Sequence, residues 1–180
     1  RVIEEELHGP AGLRGLFFGV PDRELPRVAR MVRGPGLPAV PVPPPCWDYS
    51  LEEIMNNRVI QQACLPGFNC ISTAVDLARH YALLLDSESE NRLLRRETVR
   101  AACTLSLAPN DPPPATRAAW SQHGLGYAVS HPDADDVGQR FGHAGYGGAD
   151  AQALQRQRLA FAYTCNLTHG TAKLHDALIA

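Results

Sequence analysis

The segment Phe141-Gly-His-Ala-Gly-Tyr-Gly-Gly148 places four glycines within seven residues. A backbone this rich in glycine either turns sharply or passes very close to another group. Its spacing differs from the GxGxxG of dinucleotide-binding turns, and it lacks the Gly-Lys-Ser/Thr of a phosphate-binding loop. Two interpretations remain: a structural turn, which the composition favours, or a strand end at which His143 and backbone N–H groups face a ligand.

Strands are predicted on both sides of this glycine-rich segment, because the hydrophobic period there is two residues. Over 125–129, larger apolar residues alternate with Gly and Ala. Over 159–167, Leu, Phe, Tyr, Cys and Leu fall on one face, and smaller or polar residues fall on the other. We therefore expect 159–167 to be a central strand that is covered on both sides.

Upstream, the apolar period changes to 3.6 residues, which is typical of amphipathic helices. Short helices are predicted over three ranges: 1–8, 51–62 and 96–103. The clearest helix starts at Thr73, because Thr73 and Asp76 have capping-box spacing. Asp76 and His80 form either an acid–base pair or a solvated contact one turn apart, and the solvated contact is favoured. The apolar stripe of this helix consists of Ala74, Leu77, Ala78, Tyr81, Leu84 and Leu85.

Proline-rich stretches and the order of the elements define the fold class. Six prolines fall within 35–45, which suits neither a helix nor a central strand. We expect 35–45 to be a surface segment inside one domain that spans 1–180. Helices first, antiparallel strands next and a final helix around 174–178 indicate an α+β fold. Because the chain opens with Arg1 inside a predicted helix, we expect it to be the C-terminal portion of a longer domain.

The composition excludes several classes of function. A net charge of −2 and a pI near 6.4 give no electrostatic case for binding nucleic acid or acidic membranes. No apolar run approaches the ~18 residues of a membrane span. Five scattered cysteines without a CxxC pair fit no zinc site and favour a reducing, intracellular compartment. The acidic segment 133–136 lacks the glycine and distal Glu of a calcium loop, so a solvated turn is favoured. No metal or organic cofactor is indicated.

Five segments carry a resemblance to known proteins. Residues 7–21, which include Leu-His-Gly-Pro-Ala-Gly-Leu and Phe-Phe-Gly-Val-Pro, are similar to a "PLGM…TFFGVP" segment. Residues 66–79 are similar to a "STARDLAR" helix start. The other three are 124–127, 141–148 and 159–166. In this order, they resemble the C-terminal part of the serine β-lactamase-related family, which includes class C β-lactamases, penicillin-binding proteins and esterases. The resemblance implies a β-lactamase/transpeptidase-like α+β fold, incomplete at the N-terminus, in which helices flank an antiparallel sheet.

The resemblance also implies roles for the glycine-rich segment. His143 begins a triplet that lies where the family has Lys-Thr-Gly or His-Thr-Gly on the strand lining the active site. His143 would then contact substrate, and the backbone N–H of Tyr146 would donate to the oxyanion formed on an acyl carbonyl. An imidazole is mostly neutral at pH 7, which favours esters or peptides over carboxylate-bearing β-lactams. The implied substrate-binding positions are His143, Ala144, Gly145, Gly147 and Gly148.

The chain departs from the family pattern at several positions. The family nucleophile belongs to Ser-x-x-Lys, but the only lysine is Lys173, and Gly170 stands three positions earlier. The companion Tyr-x-Asn motif is also absent. Ala144 replaces a residue that offers a hydroxyl, and Ala149 stands where Gly-Gly-Ser is common. At 154–158, Leu-Gln-Arg-Gln-Arg replaces an Asp-Pro turn, which predicts a longer, charged hairpin loop.

Two hypotheses of function follow. In the first, the chain is the C-terminal fragment of a β-lactamase-related serine hydrolase that acts on an ester, amide or β-lactam. It would take a small-molecule or peptide substrate once the upstream half is present, and alone it would be inactive. In the alternative, it is a non-catalytic β-lactamase-like module that binds a partner or ligand. A truncated product without independent function is a third possibility. On its own, such a chain is expected to be poorly soluble, since its sheet would expose an unpaired edge.

Overall fold

The computed structural model describes residues 2–36, 39, 48–85, 93–104, 124–129, 140–145 and 148–168. The chain divides into two compact units, and each combines segments that are distant in sequence. The first unit consists of Arg1–Arg14, Val75–His143 and Ala151–Ala162. The second consists of Gly15–Ala74, Ala144–Asp150 and Tyr163–Ala180.

The described residues contain short helices and short strands, which turns and loops connect. In chain order they are α1 (Gly9–Ala11), β1 (Leu16–Phe18), β2 (Val32–Arg33), α2 (Leu51–Met55), α3 (Arg58–Gln62), β3 (Cys70–Ser72), α4 (Ala74–Leu85), α5 (Arg96–Ala102), β4 (Ala128–Val129), β5 (Arg140–Ala144), β6 (Asp150–Leu154), β7 (Leu159–Tyr163) and β8 (Leu167–Thr168). A π-helical turn, Ile3–His8, precedes α1, and a 3-10 turn, Leu25–Arg27, lies between β1 and β2.

The N-terminal helix of the first unit runs further than the sequence predicts. Gly9-Pro10 signals a stop, but the helix continues to Ala11 because Pro10 lies in the first turn of α1, where its missing N–H costs nothing. Gly12 then ends the helix in the left-handed conformation, with φ of 65°. The Arg79 guanidinium donates a hydrogen bond to the Gly12 carbonyl oxygen at 3.3 Å, which ties this segment to α4.

A hydrophobic core in the first unit joins α4, α5 and strands β5 and β6. Its buried members are Tyr81, Leu84, Val99, Phe141, Ala151 and Ala153. The predicted apolar stripe of α4 is confirmed for Tyr81 and Leu84, and for Leu77 and Leu85, which also pack against this core. The prediction of a solvated Asp76 is wrong, because Asp76 is only 9% exposed. It adjoins the stripe in the first turn of α4, where a helix N-terminus stabilises a carboxylate.

Four strands form one sheet in the order β4-β5-β6-β7. Strands β4 and β5 are antiparallel, with Ala128 opposite Gly142. The strand predicted over 125–129 shrinks to β4 because Gly126, with φ of 89°, bends the chain before it. The prediction that 159–167 is a covered central strand is wrong for the described residues. There β7 is an edge strand of its four-stranded sheet, Leu159 is 53% exposed, and Leu167 belongs to the separate strand β8.

The connection between β6 and β7 is a four-residue turn, 155–158, which contains two arginines, and so it is a charged loop longer than a two-residue turn, as the sequence predicts. The Arg158 N–H donates to the Gln155 carbonyl oxygen at 3.2 Å. Arg158 has a φ of 51°, the left-handed conformation that glycine or asparagine usually supplies in hairpin turns. Arg158 thus closes the turn in a conformation that its side chain strains.

The second unit contains two small strand pairs. Strand β1 is antiparallel to β3, and β2 is parallel to β8. The single helix predicted over 51–62 is two helices, since the Asn57 side chain accepts a hydrogen bond from the Val59 N–H at 2.9 Å and starts α3 anew. Leu51 and Ile54 are buried, as the pattern predicts.

Several predictions fall outside the described residues. These are most of the proline-rich stretch 35–45, the prolines at 112–114, the acidic segment 133–136 and the final helix around 174–178. Among the residues that are described, none of the helices has the length and apolar character needed to cross a membrane.

Candidate functional site

Strand β5 places His143 at the surface of the first unit and is anchored by a buried neighbour. His143 is exposed, whereas Phe141 is only 1% exposed. The centroid of the Phe141 ring lies 5.4 Å from that of Tyr127 and 6.1 Å from that of Tyr81. Residues two apart in a strand share a face. The aromatic cluster therefore fixes the part of β5 from which His143 extends.

Gly142 allows β5 and β6 to approach closely. A Cβ atom at this buried position would collide with the carbonyl oxygen of Ala151. It would also lie 2.7 Å from Cα and 2.8 Å from Cγ of Gln152. The prediction that the glycine-rich segment passes very close to another group is thus confirmed at Gly142, whose backbone lies against that of β6.

A sharp turn, the second expected use of the glycines, occurs directly after β5 in the second unit. The Gly145 N–H donates to the carbonyl oxygen of Ala149 at 2.6 Å, and the Gly148 N–H donates to the carbonyl oxygen of Gly145 at 3.0 Å. Gly148 has a φ of 103°, which residues with a side chain rarely adopt. These bonds close a tight turn between β5 and β6.

The structure brings together three of the predicted site residues in this turn. Ala144 is half-buried and Gly145 is exposed at its start, and Gly148 lies at its end. The predicted positions Tyr146 and Gly147 lie outside the described residues. The roles of all these positions remain predictions.

Two buried polar residues at the start of β6 were missed by the sequence reasoning. Asp150, in the second unit, is 4% exposed, and Gln152, in the first, is 8% exposed. The available signal was the alternation of these polar residues with Ala151 and Ala153 directly after the glycine-rich segment. Such an alternation puts the polar residues on one face of a strand. A buried carboxyl group thus immediately follows the candidate turn.

Two side chains of the first unit, Tyr127 and His80, have pKa values shifted in the direction that favours their neutral forms. Burial, together with nearby Cys103, raises the pKa of the Tyr127 phenol. Burial and nearby His8 lower the pKa of the His80 imidazole. Both directions are those expected for ionisable groups in a poorly hydrated environment. Within the described ranges, no cluster of three or more His, Cys, Asp or Glu residues could hold a metal ion.

Comparison with known proteins identifies the class of fold. The chain has the β-lactamase-type α+β fold that serine hydrolases use, and a family model described as Beta-lactamase matches residues 1–180. The chain therefore belongs to the beta-lactamase family. The resemblance proposed from the sequence is confirmed at the level of family and fold.

Solved structures with the same fold include two esterases and a penicillin-binding protein homologue. EstA from Arthrobacter nitroguajacolicus Rue61a has a TM-score of 0.69 and 22% identity, over 93% of this chain and 47% of that one. A family VIII carboxylesterase has a TM-score of 0.69 and 20% identity, and the match covers 93% of this chain and 45% of the carboxylesterase. The octameric penicillin-binding protein homologue from Pyrococcus abyssi has a TM-score of 0.55 and 14% identity, and the match covers 98% of this chain and 37% of the homologue. The chain thus spans less than half of each. A search of curated proteins found no match.

Proposed function

We propose that the chain is the C-terminal portion of one β-lactamase-related domain, and that this domain hydrolyses or transfers the acyl group of an ester, amide or β-lactam. The observation that carries the proposal is the exposure of His143 near the end of strand β5. The two residues before it, Phe141 and Gly142, are buried. Membership of the beta-lactamase family over residues 1–180 supports the same assignment. The esterases among the similar structures favour an ester as the substrate class.

In this proposal, the glycine-rich segment forms one wall of the active site. His143 contacts the substrate, and a backbone N–H donates to the oxyanion that forms on the acyl carbonyl. The resemblance assigns this donor to the backbone N–H of Tyr146, and the neighbouring Gly145 N–H donates instead to Ala149 within the turn. Histidine at this position, where the family often has lysine, removes a permanent cation and so suits an uncharged ester better than a carboxylate-bearing β-lactam.

The nucleophile in this proposal comes from a polypeptide segment other than 1–180. Ser-x-x-Lys supplies both the attacking hydroxyl and the group that activates it. The single lysine of this chain, Lys173, has Gly170 three positions before it, so the motif is excluded here. The chain by itself is therefore expected to hold half of an active site.

The first experiment measures hydrolysis by the purified 180-residue chain. With p-nitrophenyl acetate, p-nitrophenyl butyrate and a chromogenic cephalosporin, we expect no turnover above the buffer rate. Turnover by the chain alone that is lost in a His143→Ala variant would mean that the nucleophile lies within 1–180, and this part of the proposal would be wrong.

The second experiment uses the longest polypeptide encoded at the locus. If its upstream sequence contains Ser-x-x-Lys followed by Tyr-x-Asn, His143→Ala should lower kcat/KM for the butyrate ester by about 10-fold, the loss expected for one polar contact with the substrate. His143→Lys should shift the preference toward the cephalosporin, because a cation attracts its carboxylate. Arg156→Ala, at an exposed turn position, is the matched control and should leave kcat/KM unchanged.

A non-catalytic binding module is the second candidate. It is favoured by Ala144 and Ala149, which lack the hydroxyl groups that the family often has at these positions. An intact upstream sequence without Ser-x-x-Lys supports this candidate over the enzyme. In that case the longer polypeptide should bind a ligand or partner without turning over any of the three chromogenic substrates.

A further inference from the structure

The loop formed by residues 64–70 in the second unit begins and ends with a free cysteine. Cys64 and Cys70 are both free and both exposed. The residues between them are exposed as well, except Asn69, which is only 4% exposed. This 64–70 loop therefore presents its two cysteines to solvent around one buried polar side chain.

The Asn69 carboxamide holds the backbone on both sides of Cys64 close to the residue that precedes Cys70. Its Nδ2 donates to the carbonyl oxygen of Ala63 at 2.6 Å, and its Oδ1 accepts from the Leu65 N–H at 3.1 Å. These are the residues directly before and directly after Cys64. Cys70 directly follows Asn69, so Cys64 is held within one side-chain length of the residue preceding Cys70.

The main chain closes the 64–70 loop independently of this side chain. The carbonyl oxygen of Leu65 accepts hydrogen bonds from the N–H of Phe68 at 2.9 Å and from the N–H of Asn69 at 3.1 Å. A closed turn of this kind draws together the residues that flank it. A disulfide joins residues whose Cα atoms lie about 4.4–6.8 Å apart.

We propose that Cys64 and Cys70 form a reversible intramolecular disulfide when the protein meets a small-molecule disulfide such as oxidised glutathione. In the first step, the Cys64 thiolate attacks one sulfur of oxidised glutathione, the S–S bond breaks, and one glutathione thiolate leaves. In the second step, the Cys70 thiolate attacks the Cys64 sulfur of the mixed disulfide, and the second glutathione thiolate leaves. The two cysteines lose two electrons and two protons, and oxidised glutathione is reduced to two glutathione molecules.

The second step is slowed at neutral pH. Although the Cys70 residue reaches solvent, desolvation around its thiol raises the pKa to about 11. Because only the thiolate attacks, ring closure should accelerate about tenfold for each pH unit between 7 and 10.

The test incubates the folded chain with excess oxidised glutathione at mildly alkaline pH, blocks the remaining thiols by alkylation and maps tryptic peptides by mass spectrometry. Trypsin releases both cysteines in one peptide, 59–79, since no Lys or Arg lies between its ends. We expect this peptide to be lighter by two hydrogen atoms, without alkylation or glutathione, and to regain both thiols after reduction. Two glutathione adducts on the peptide, or linkage to another cysteine or a second chain, would overturn the proposal.

Variants separate the role of the fold from mere closeness in sequence. Cys64→Ser and Cys70→Ser should each leave a glutathione adduct on the remaining thiol. A variant with Cys46, Cys103 and Cys165 changed to Ser is the matched control and should close the ring as the wild type does. In concentrated urea, the ratio of ring to adduct should fall about tenfold, because the turn no longer holds the thiols together. An unchanged ratio in urea would show that the folded loop contributes nothing.

Discussion

The guanidinium of Arg33 and the carboxylate of Glu52 form an ion pair with a distance of 3.1 Å between Nη2 and Oε2 in the second unit. The Thr168 hydroxyl donates a hydrogen bond to the same carboxylate. Arg33 lies on β2, Thr168 lies opposite it on β8, and Glu52 lies in the first turn of α2. One carboxylate thus joins three elements that are distant in sequence. Hydrogen bonds from Arg33 and then Thr168 lower its pKa from 4.5 to about 2.

This lowered pKa predicts an acid-sensitive contribution to stability. The folded protein binds the Glu52 proton more weakly than the unfolded chain does, so the contribution is complete above about pH 4.5. It is lost progressively as the pH falls toward 2. At pH 7, Glu52→Gln should lower the free energy of unfolding by about 1–2 kcal/mol, a value reduced by solvent screening of the partly exposed Arg33. Denaturant unfolding at pH 7 and at pH 3 measures both effects.

Glu6→Gln is the matched control for this experiment. Glu6 is exposed in the N-terminal helical turn, and its replacement should change the free energy of unfolding by less than about 0.5 kcal/mol. The gap between Glu52→Gln and the wild type should narrow as the pH falls from 4.5 to 3. A gap of constant size over this range would mean that Glu52 is not stabilised as a carboxylate.

The sequence predicts the elements that depend on local patterns and misses those that depend on distant partners. The stripe of α4 follows from its 3.6-residue period, and the buried Leu51 and Ile54 follow from a similar pattern. The parallel pairing of β2 with β8 joins Val32 to Leu167, and no local pattern encodes a contact over that distance. Asp150 was missed because burial of a carboxyl group is decided by the packing around it.

In the candidate site, too, the sequence predicted the features that depend on local patterns and missed the others. The resemblance placed His143 and Gly145 at the strand end and turn that the structure contains, since glycine spacing restricts local backbone geometry. It could not foresee that the Gly145 N–H is used inside the turn. The departure at 154–158 predicted the charged hairpin turn, but composition does not reveal that Arg158 takes a left-handed conformation there.

That conformation supports a prediction of increased stability. A side chain at φ of 51° is strained, whereas glycine adopts this conformation at little cost. Arg158→Gly should therefore raise the free energy of unfolding by about 0.5–1 kcal/mol, measured by urea denaturation. Arg156→Gly, in the same turn but without a positive φ, is the control and should be neutral or destabilising. Equal effects of the two substitutions would contradict the role of backbone strain.

Glycine is required at position 142 and is not required at position 67. A Cβ at Gly142 would overlap backbone atoms of Ala151 and Gln152, whereas a Cβ at Gly67 would meet nothing within 4 Å. Gly142→Ala should thus lower the free energy of unfolding by about 2 kcal/mol or more, because β5 and β6 must separate. Gly67→Ala should be neutral or slightly stabilising. Thermal melts of the two variants beside the wild type distinguish these outcomes, and a tolerated Gly142→Ala would show that the two strands are not in close contact.

Phe141 and His143 lie on one face of β5 but should differ sharply in what they contribute. Phe141 packs against Tyr81 and Tyr127 in the core, so Phe141→Ala should cost about 3–5 kcal/mol of unfolding free energy. His143 is exposed, so His143→Ala should change that free energy by less than about 0.5 kcal/mol. Urea denaturation measures both values. Phe141→Leu, which retains most of the buried apolar volume, should fall between them. If His143→Ala is as destabilising as Phe141→Ala, the imidazole is part of the packing, and its assignment to a substrate-facing wall is wrong.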